Sequence, residues 1–311
     1  MVAAMNNLLA SPPFNDARPL LENICESIRS ASMVHIHAPA DAVGVLGLAF
    51  IEAACLDLGL PYARRFMPPH RTLPRDEVVH PNQSDDGCLL FLDPFEDTWD
   101  VSDVQEKKYI HITPLAVNIR LGSKKSERRG ALDVVAQCAA IAAELAPKGQ
   151  RVRRLRPFAG SGLWLREALD TTFDPVHTAI RDLLSGEGSL RVVALPEVPS
   201  PSESMIPHLS QRMLSRLSKA WPKMDVDART QALSELVLPT LTNSNLSTPR
   251  LEELVWHRLL VGDHPVDVVS QVHLAMKDWP EGKDEAKLHA SKLADFFIVH
   301  GALTPSVPST D

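Results

Sequence analysis

This sequence has few aromatic side chains, no closely spaced cysteine pair and no excess of positive charge. Aromatic residues make up 5% of it. Its formal net charge is −7, so no global basic field indicates a nucleic-acid-binding protein. The cysteines form no CxxC pair, so neither a zinc knuckle nor a redox dithiol is indicated. We expect buried, reduced thiols in an intracellular protein at all four of them, Cys25, Cys55, Cys88 and Cys138.

Long hydrophobic runs are absent as well. The N-terminus lacks a charged region followed by a long apolar core, so a secretory signal is not indicated. The longest apolar stretch, residues 43–60, is interrupted by Glu52 and Asp57 and is too short to span a bilayer. The sequence therefore predicts a soluble, cytoplasmic protein without membrane contact.

The first half of the chain alternates between two periodicities. Short apolar runs typical of buried parallel strands occupy residues 33–38, 61–67, 88–93 and 107–112. Helical patterns occupy residues 16–31, 41–58 and 131–146. Strands alternating with helices in this order predict an α/β fold with a mostly parallel, doubly wound sheet.

The pattern changes in the second half. One more strand is predicted at 190–195, before a stretch rich in proline and serine. Helical patterns follow at 204–221, 227–238, 249–260, 265–278 and 284–300. With 311 residues the chain is long enough for two domains. We predict an α/β domain at 1–165, a connecting segment at 166–203, a smaller helical C-terminal domain at 204–303 and a disordered tail at 304–311.

Histidine and aspartate follow three of the predicted strands. In open parallel sheets, ligands bind beyond the carboxyl ends of the strands. His37 lies near the end of the first strand and Asp41 follows it, the third strand ends at Asp93, and the fourth contains His111. Each residue also has a purely structural interpretation. Asp41, for example, could be the N-cap of the next helix. We expect Asp41, Asp93 and His111 to converge on one cleft.

The first of these strand ends resembles motif I of the DHH phosphoesterases, especially the archaeal RecJ-like proteins. In that family a strand ends in His-x-Asp-Ala-Asp-Gly and a helix of small residues follows. The matching string here is His-Ala-Pro-Ala-Asp-Ala, residues 37–42. His37 and Asp41 are retained, whereas Pro39 and Ala42 replace the first aspartate and the glycine.

Two further strand ends resemble the next two motifs. Asp93 matches the single aspartate of motif II, and residues 110–114 match the Ile-Asp-His-His-Pro of motif III. The defining Asp-His-His is replaced by His111, Ile112 and Thr113. The aspartate of a fourth motif would fall at 158–162, where none is present. The resemblance covers residues 16–165 and includes no glycine-rich DHHA1 signature in the C-terminal half.

The resemblance implies a site for two divalent cations from which most ligands are missing. Such cations need charged oxygen ligands, and three carboxylate positions are lost. The sequence therefore predicts a pseudoenzyme with no intact catalytic site and no expected cofactor. The vestigial positions are His37, Pro39, Asp41, Asp93, His111, Ile112 and Thr113. Weak candidates for a single Mn²⁺ or Mg²⁺, relevant only if the protein is an enzyme after all, are Asp41, Asp93 and His111.

Positive charge is concentrated in residues 120–156. This segment contains ten basic and three acidic residues, a net charge of +7 that leaves −14 on the remainder of the chain. Such a cluster indicates contact with phosphates or an acidic partner, with a solvated face as the alternative. The candidate contact residues are Lys124, Lys125, Arg128, Arg129, Arg151, Arg153, Arg154 and Arg156.

Within the RecJ-like group the resemblance implies one of two activities. Some members are Mn²⁺-dependent exonucleases acting on single strands, and others are non-catalytic subunits of the replicative helicase assembly that bind GINS and MCM. The ligand losses favour the second, so we predict an inactive scaffold subunit with GINS and MCM as partners and single-stranded DNA as a possible contact. The alternatives are a divergent metal-dependent phosphoesterase and a stand-alone nucleotide-binding regulator.

Overall fold

Four parallel strands form the central sheet of the protein. The computed structural model describes residues 7–69, 87–95, 109–121, 126–165, 174–242 and 246–306. In these residues the strands are hydrogen-bonded in the order β2-β1-β3-β4. Their bounds are β1 (Val34–Pro39), β2 (Tyr62–Met67), β3 (Cys88–Leu92) and β4 (Tyr109–Ile112). Each lies at a predicted position, and the α/β class is confirmed.

The helices of the first half are α1 (Arg18–Ser30), α2 (Ala42–Leu58), α3 (Val134–Leu145) and α4 (Gln150–Leu155). Helix α2 follows β1 directly and approaches it very closely. A Cβ atom added to Gly44 would lie 2.1 Å from the carbonyl oxygen of Pro39. Only glycine fits this contact, which brings the start of α2 against the end of β1.

A two-stranded hairpin separates the parallel sheet from α3. It consists of β5 (Leu115–Leu121) and β6 (Ser126–Leu132), paired antiparallel. The helix predicted at 131–146 was therefore placed too early, because Ala131 and Leu132 end β6. The helix begins after Asp133, whose carboxylate accepts a hydrogen bond from the backbone N–H of Ala136.

The second half is mainly helical, with a short antiparallel pair. Its elements are α5 (Pro175–Gly186), β7 (Arg191–Val193), α6 (Gln211–Ala220), α7 (Val226–Val237), α8 (Thr248–Trp256), β8 (Arg258–Leu260), α9 (Val268–Lys277) and α10 (Lys283–His300). Two predicted helices need correction. The one at 204–221 begins only at residue 211, and that at 249–260 ends at residue 256. The three residues 258–260 instead pair with β7.

Helix α10 packs into the α/β part of the molecule. The ring of Phe297 lies 6.5 Å from that of Phe50 on α2 and 4.9 Å from that of Phe158, measured between ring centroids. Arg64 on β2 donates hydrogen bonds to Glu52 on α2 and to Ser291 on α10. One continuous hydrophobic core runs from Leu8 to Leu303. The last helix of the predicted separate domain thus belongs, by contact, to the α/β core.

All four cysteines are buried and unpaired, as the sequence predicted. Burial raises the pKa of the Cys25 thiol to about 12, which keeps it protonated at neutral pH. None of the helices in the described ranges has the length and apolarity needed to cross a bilayer. Residues 166–173 of the predicted connecting segment and 307–311 of the predicted tail lie outside the described residues.

Candidate functional site

The carboxyl edge of the parallel sheet carries the residues that the strand-end argument selected. Strand β3 lies between β1 and β4, so the ends of these three strands are neighbours. The register pairs Phe91 with His37 on one side and with His111 on the other, and pairs His37 with Arg65. Paired residues of parallel strands point to the same face. One row of side chains therefore crosses the sheet on the face opposite α2.

Asp93 and His111 form the central contact of this edge. The carboxylate of Asp93 is fully buried, and its Oδ2 lies 2.9 Å from Nε2 of His111. Its Oδ1 accepts a hydrogen bond from the backbone N–H of Phe95 at 3.2 Å. The imidazole of His111 stacks on Phe91, with ring centroids 5.1 Å apart. The side chains of Asp93 and His111 thus hold each other in place.

His37 occupies the neighbouring position in the row. It is half-buried, and its Nδ1 has no hydrogen-bond partner among the described residues. Burial lowers the pKa of His37, and the positive charge of Arg65 and the nearby His35 lower it further. A neutral imidazole is therefore favoured here, which is the form that binds a metal ion or accepts a proton.

The carboxylate of Asp41 is used as a helix cap. Its Oδ1 accepts a hydrogen bond from the backbone N–H of Gly44 at 2.9 Å, at the first turn of α2. The interpretation of Asp41 as an N-cap is confirmed. A capping carboxylate of this kind stabilises a helix by roughly 1 kcal/mol, so the residue has a structural reason to be present.

Pro39, Ile112 and Thr113 contribute backbone and core contacts. Pro39 is buried at the end of β1, and the side chain of Ile112 is 1% exposed in the core. The carbonyl oxygen of Ile112 accepts a hydrogen bond from the backbone N–H of Asp93 at 2.9 Å. That of Thr113 accepts one from Nε2 of Gln137 at 2.7 Å. None of these three side chains supplies a charged ligand at the edge.

Within the described residues, the polar groups of this edge do not gather into a cation cage. Across the described ranges, no three histidine, cysteine, aspartate or glutamate side chains lie close enough together to hold a metal ion. Asp93 and His111 are in contact, while the carboxylate of Asp41 faces the start of α2. The arrangement can hold a proton between Asp93 and His111, and it offers His37 as a neighbouring acceptor.

Trp279 is a neighbour of this edge that the strand pattern did not predict. Its indole N–H donates a hydrogen bond to the carbonyl oxygen of Ala40 at 2.9 Å, although 239 residues separate the two in the chain. Its ring meets that of His289 on α10 in an edge-to-face contact. The segment between α9 and α10 is therefore attached to the end of β1, and no local sequence signal indicates this.

The predicted basic contact residues are divided between two environments. Arg128 and Arg129 are exposed on β6, and Lys124 and Lys125 lie outside the described residues. The guanidinium of Arg151 pairs with Asp57 at 3.0 Å.

The remaining arginines bond within the molecule. Arg153 donates to the carbonyl oxygen of Pro147, and Arg154 donates to the last carbonyl oxygens of α10, those of Ile298 and Val299. Arg156 is only 5% exposed and makes two hydrogen bonds to Glu187. Its prediction as a partner contact is corrected, because a buried, paired guanidinium is not presented to a partner.

No protein-family model matches this chain, and no curated protein is significantly similar to it.

Proposed function

We propose that this protein is a non-catalytic relative of the DHH phosphoesterases that acts as a scaffold subunit in a replicative helicase assembly. The observation that carries the proposal is the set of contacts made by the three candidate metal ligands, Asp41, Asp93 and His111. Asp93 and His111 bond to each other, and Asp41 caps α2. These three candidate ligands thus have structural partners that do not depend on a metal, whereas Nδ1 of His37 has none among the described residues.

The strand order supports the family part of the proposal. The three strands whose ends resemble motifs I, II and III are adjacent, in the order β1-β3-β4. A DHH-like, doubly wound sheet needs this adjacency, since its ligands must come from neighbouring strand ends. In the proposal the helices after residue 204 supply a second surface, with α10 attaching them to the sheet.

The scaffold part of the proposal rests on exposed charge. The hairpin presents Arg128 and Arg129 on an acidic protein of net charge −7. Exposed charges of this kind mainly accelerate association and set its register, while buried apolar contacts set the residence time. The proposed partners are GINS and MCM, and single-stranded DNA is a further proposed contact.

The first experiment tests for catalysis. Purified protein is incubated with Mn²⁺ or Mg²⁺ and 5′-labelled single-stranded DNA, RNA or dinucleotides, and products are resolved by electrophoresis. We expect no turnover above the background of a metal-free sample. Asn replaces Asp well at a helix N-cap, so Asp41→Asn and Asp93→Asn serve as the reference variants. Metal-dependent turnover that either substitution abolishes would reject the pseudoenzyme and favour a divergent phosphoesterase.

The second experiment tests the scaffold. Association with purified GINS and MCM is followed by surface plasmon resonance between 50 and 200 mM salt, a range over which charge-driven association weakens strongly. Reversing Lys124, Lys125, Arg128 and Arg129 to Glu should slow association about tenfold or more and flatten its salt dependence. The matched control reverses four exposed basic residues elsewhere, Arg191, Lys277, Lys283 and Lys292. Equal losses in both variants, or no complex with either partner, would contradict the proposal.

A further inference from the structure

Helix α6 carries a stripe of positive charge for which the described part of the chain provides no partner. Its basic residues recur at helical spacing, and Lys223 continues the series in the 3-10 turn that follows. Between Glu203 and Asp225 the sequence contains no acidic residue. The stripe consists of Arg212, Arg216, Lys219 and Lys223. It contributes four positive charges to a chain of net charge −7, so all other residues together carry −11.

The stripe lies on the side of α6 that faces away from the protein. The residues that attach the helix are Leu214 and Trp221, which are 4% and 3% exposed. At 100° per residue, these two point in nearly the same direction and the four basic residues point to the opposite side. All four are exposed. Within the described residues none of them forms an ion pair or a side-chain hydrogen bond.

The end of the stripe is held rigidly. Arg229 on α7 donates two hydrogen bonds to the carbonyl oxygen of Trp221, at 3.2 and 3.0 Å, and its guanidinium lies 5.0 Å from the centre of that ring. The indole N–H of Trp221 donates to Glu197 at 2.9 Å. The basic face is therefore presented on a helix whose position is set from its buried side.

We infer that this face of α6, the basic stripe, binds the phosphate backbone of duplex DNA. From Arg212 to Lys223 the stripe is about 17 Å long at helical rise, and a duplex carries one negative charge per ~1.7 Å of its axis. Along one strand the spacing is ~3.4 Å, about five phosphates over this length, so four cations facing one backbone nearly match its charge without contacting bases. The inference is independent of the proposed scaffold function.

Two features disfavour other occupants. Single-strand binding sites stack bases on exposed aromatic rings, whereas the ring of Trp221, at the end of α6, is buried and the neighbouring Trp256 is half-buried. A membrane-surface helix needs a free apolar face, and here that face, with Leu214 and Trp221, is packed against the protein.

The test uses the full chain and a fluorescein-labelled 20-base-pair duplex of arbitrary sequence. Fluorescence anisotropy gives Kd between 50 and 200 mM salt. If four phosphates are neutralised, log Kd should change with log salt with a slope of roughly 3.6, at about 0.9 per phosphate. Replacing all four stripe residues with Gln should weaken binding at least tenfold and remove most of this slope. Circular dichroism verifies that the variant is folded.

The matched control removes four exposed basic residues elsewhere, Arg191, Lys277, Lys283 and Lys292, by substitution with Gln. We expect it to bind the duplex within about threefold of the unmodified protein. Equal weakening in both variants would overturn the inference, because binding would then follow net charge alone. It would also be overturned if the stripe variant bound the duplex normally but lost affinity for a single strand or for polyglutamate.

Discussion

At the scale of single residues, Glu253 shows how a buried charge is stabilised in this protein. It is 8% exposed, and its carboxylate accepts two hydrogen bonds from Arg181 on α5, at 2.8 and 2.9 Å. Nε2 of His177 and Nδ1 of His257 lie 3.6 and 3.0 Å from its oxygens. Burial alone would raise the pKa of Glu253, but these imidazoles and the Arg181 charge outweigh it and hold the pKa well below its ordinary value.

Glu253→Gln should therefore destabilise the protein. The substitution leaves the buried Arg181 guanidinium with only the exposed carboxylate of Asp182, and breaking a buried pair costs about 3–5 kcal/mol. The measurement is urea unfolding followed by circular dichroism at pH 7. The neighbouring Glu252 is exposed, so Glu252→Gln is the control and should change the unfolding free energy by less than about 0.5 kcal/mol. Equal effects would show that the Glu253 contacts contribute no stability.

Comparing the unmodified protein with Glu253→Gln also gives a prediction for the pH dependence of stability. Because the folded-state pKa of Glu253 is depressed, its stabilisation is fully present above the unfolded-state pKa, near 4.5. It is lost as the pH falls towards the folded-state value. The difference in unfolding free energy between the unmodified protein and Glu253→Gln should thus be constant from pH 5 to 6 and shrink below about pH 4.5. A difference that grew on acidification would contradict the assigned direction.

At the scale of elements, two helices end in the same left-handed glycine cap but in different surroundings. Gly59 ends α2 with φ 68°, and a Cβ added to it would meet no atom within 4 Å. Gly301 ends α10 with φ 66°, and a Cβ there would lie 2.4 Å from Cγ of Arg154. Alanine at either position must adopt the left-handed conformation, which costs roughly 1–2 kcal/mol.

Gly301→Ala should consequently be the more destabilising of the two substitutions. Gly59→Ala should lower the free energy of unfolding by about 1 kcal/mol, which is the backbone cost alone. Gly301→Ala adds displacement of Arg154, whose guanidinium bonds to the carbonyl oxygens that end α10. Thermal unfolding of both variants provides the comparison. Equal losses would mean that the Arg154 side chain moves aside without cost.

The element boundaries that the sequence did not predict have a common physical origin. Ala131 and Leu132 continue a helical pattern, yet they end β6 because their backbone groups pair with Leu115 and Ala116. Leu259 and Leu260 likewise leave the α8 pattern to pair with β7. In both cases pairing with another strand decided the boundary, and a periodicity contains no information about such pairing. The four parallel strands were predicted because their apolar runs are short and bounded by turns.

At the scale of the whole molecule, the sequence predicted the strand ends but not what surrounds them. Asp93 and His111 were placed at one edge by the parallel order of their strands alone. The contact of Trp279 with Ala40 joins opposite ends of the chain, and no local pattern predicts it. The sequence analysis did not predict the basic stripe of α6, because its position on the outer face depends on the burial of Leu214 and Trp221 beneath it.

The packing of α10 makes a prediction about how the molecule unfolds. Phe297 is fully buried between Phe50 and Phe158, which belong to the first half of the chain. Phe297→Ala should cost about 3–5 kcal/mol through the cavity it leaves. The loss of stability should affect both halves of the chain, because they share one hydrophobic core. Phe296 is half-buried beside His300, so Phe296→Ala is the matched control and should cost clearly less.

Hydrogen exchange followed by mass spectrometry distinguishes a shared core from two independent ones. In the Phe297→Ala protein, peptides from β1 and β3 should lose protection together with peptides from α6 and α7, since α10 stabilises the sheet side directly. An independent helical domain would behave differently: protection would fall only after residue 204, and β1 and β3 would exchange as in the unmodified protein. In that case deletion of residues 204–311 would leave a folded α/β unit. With a shared core, the same deletion removes α10 from α2 and β2 and should yield an unfolded or aggregated product.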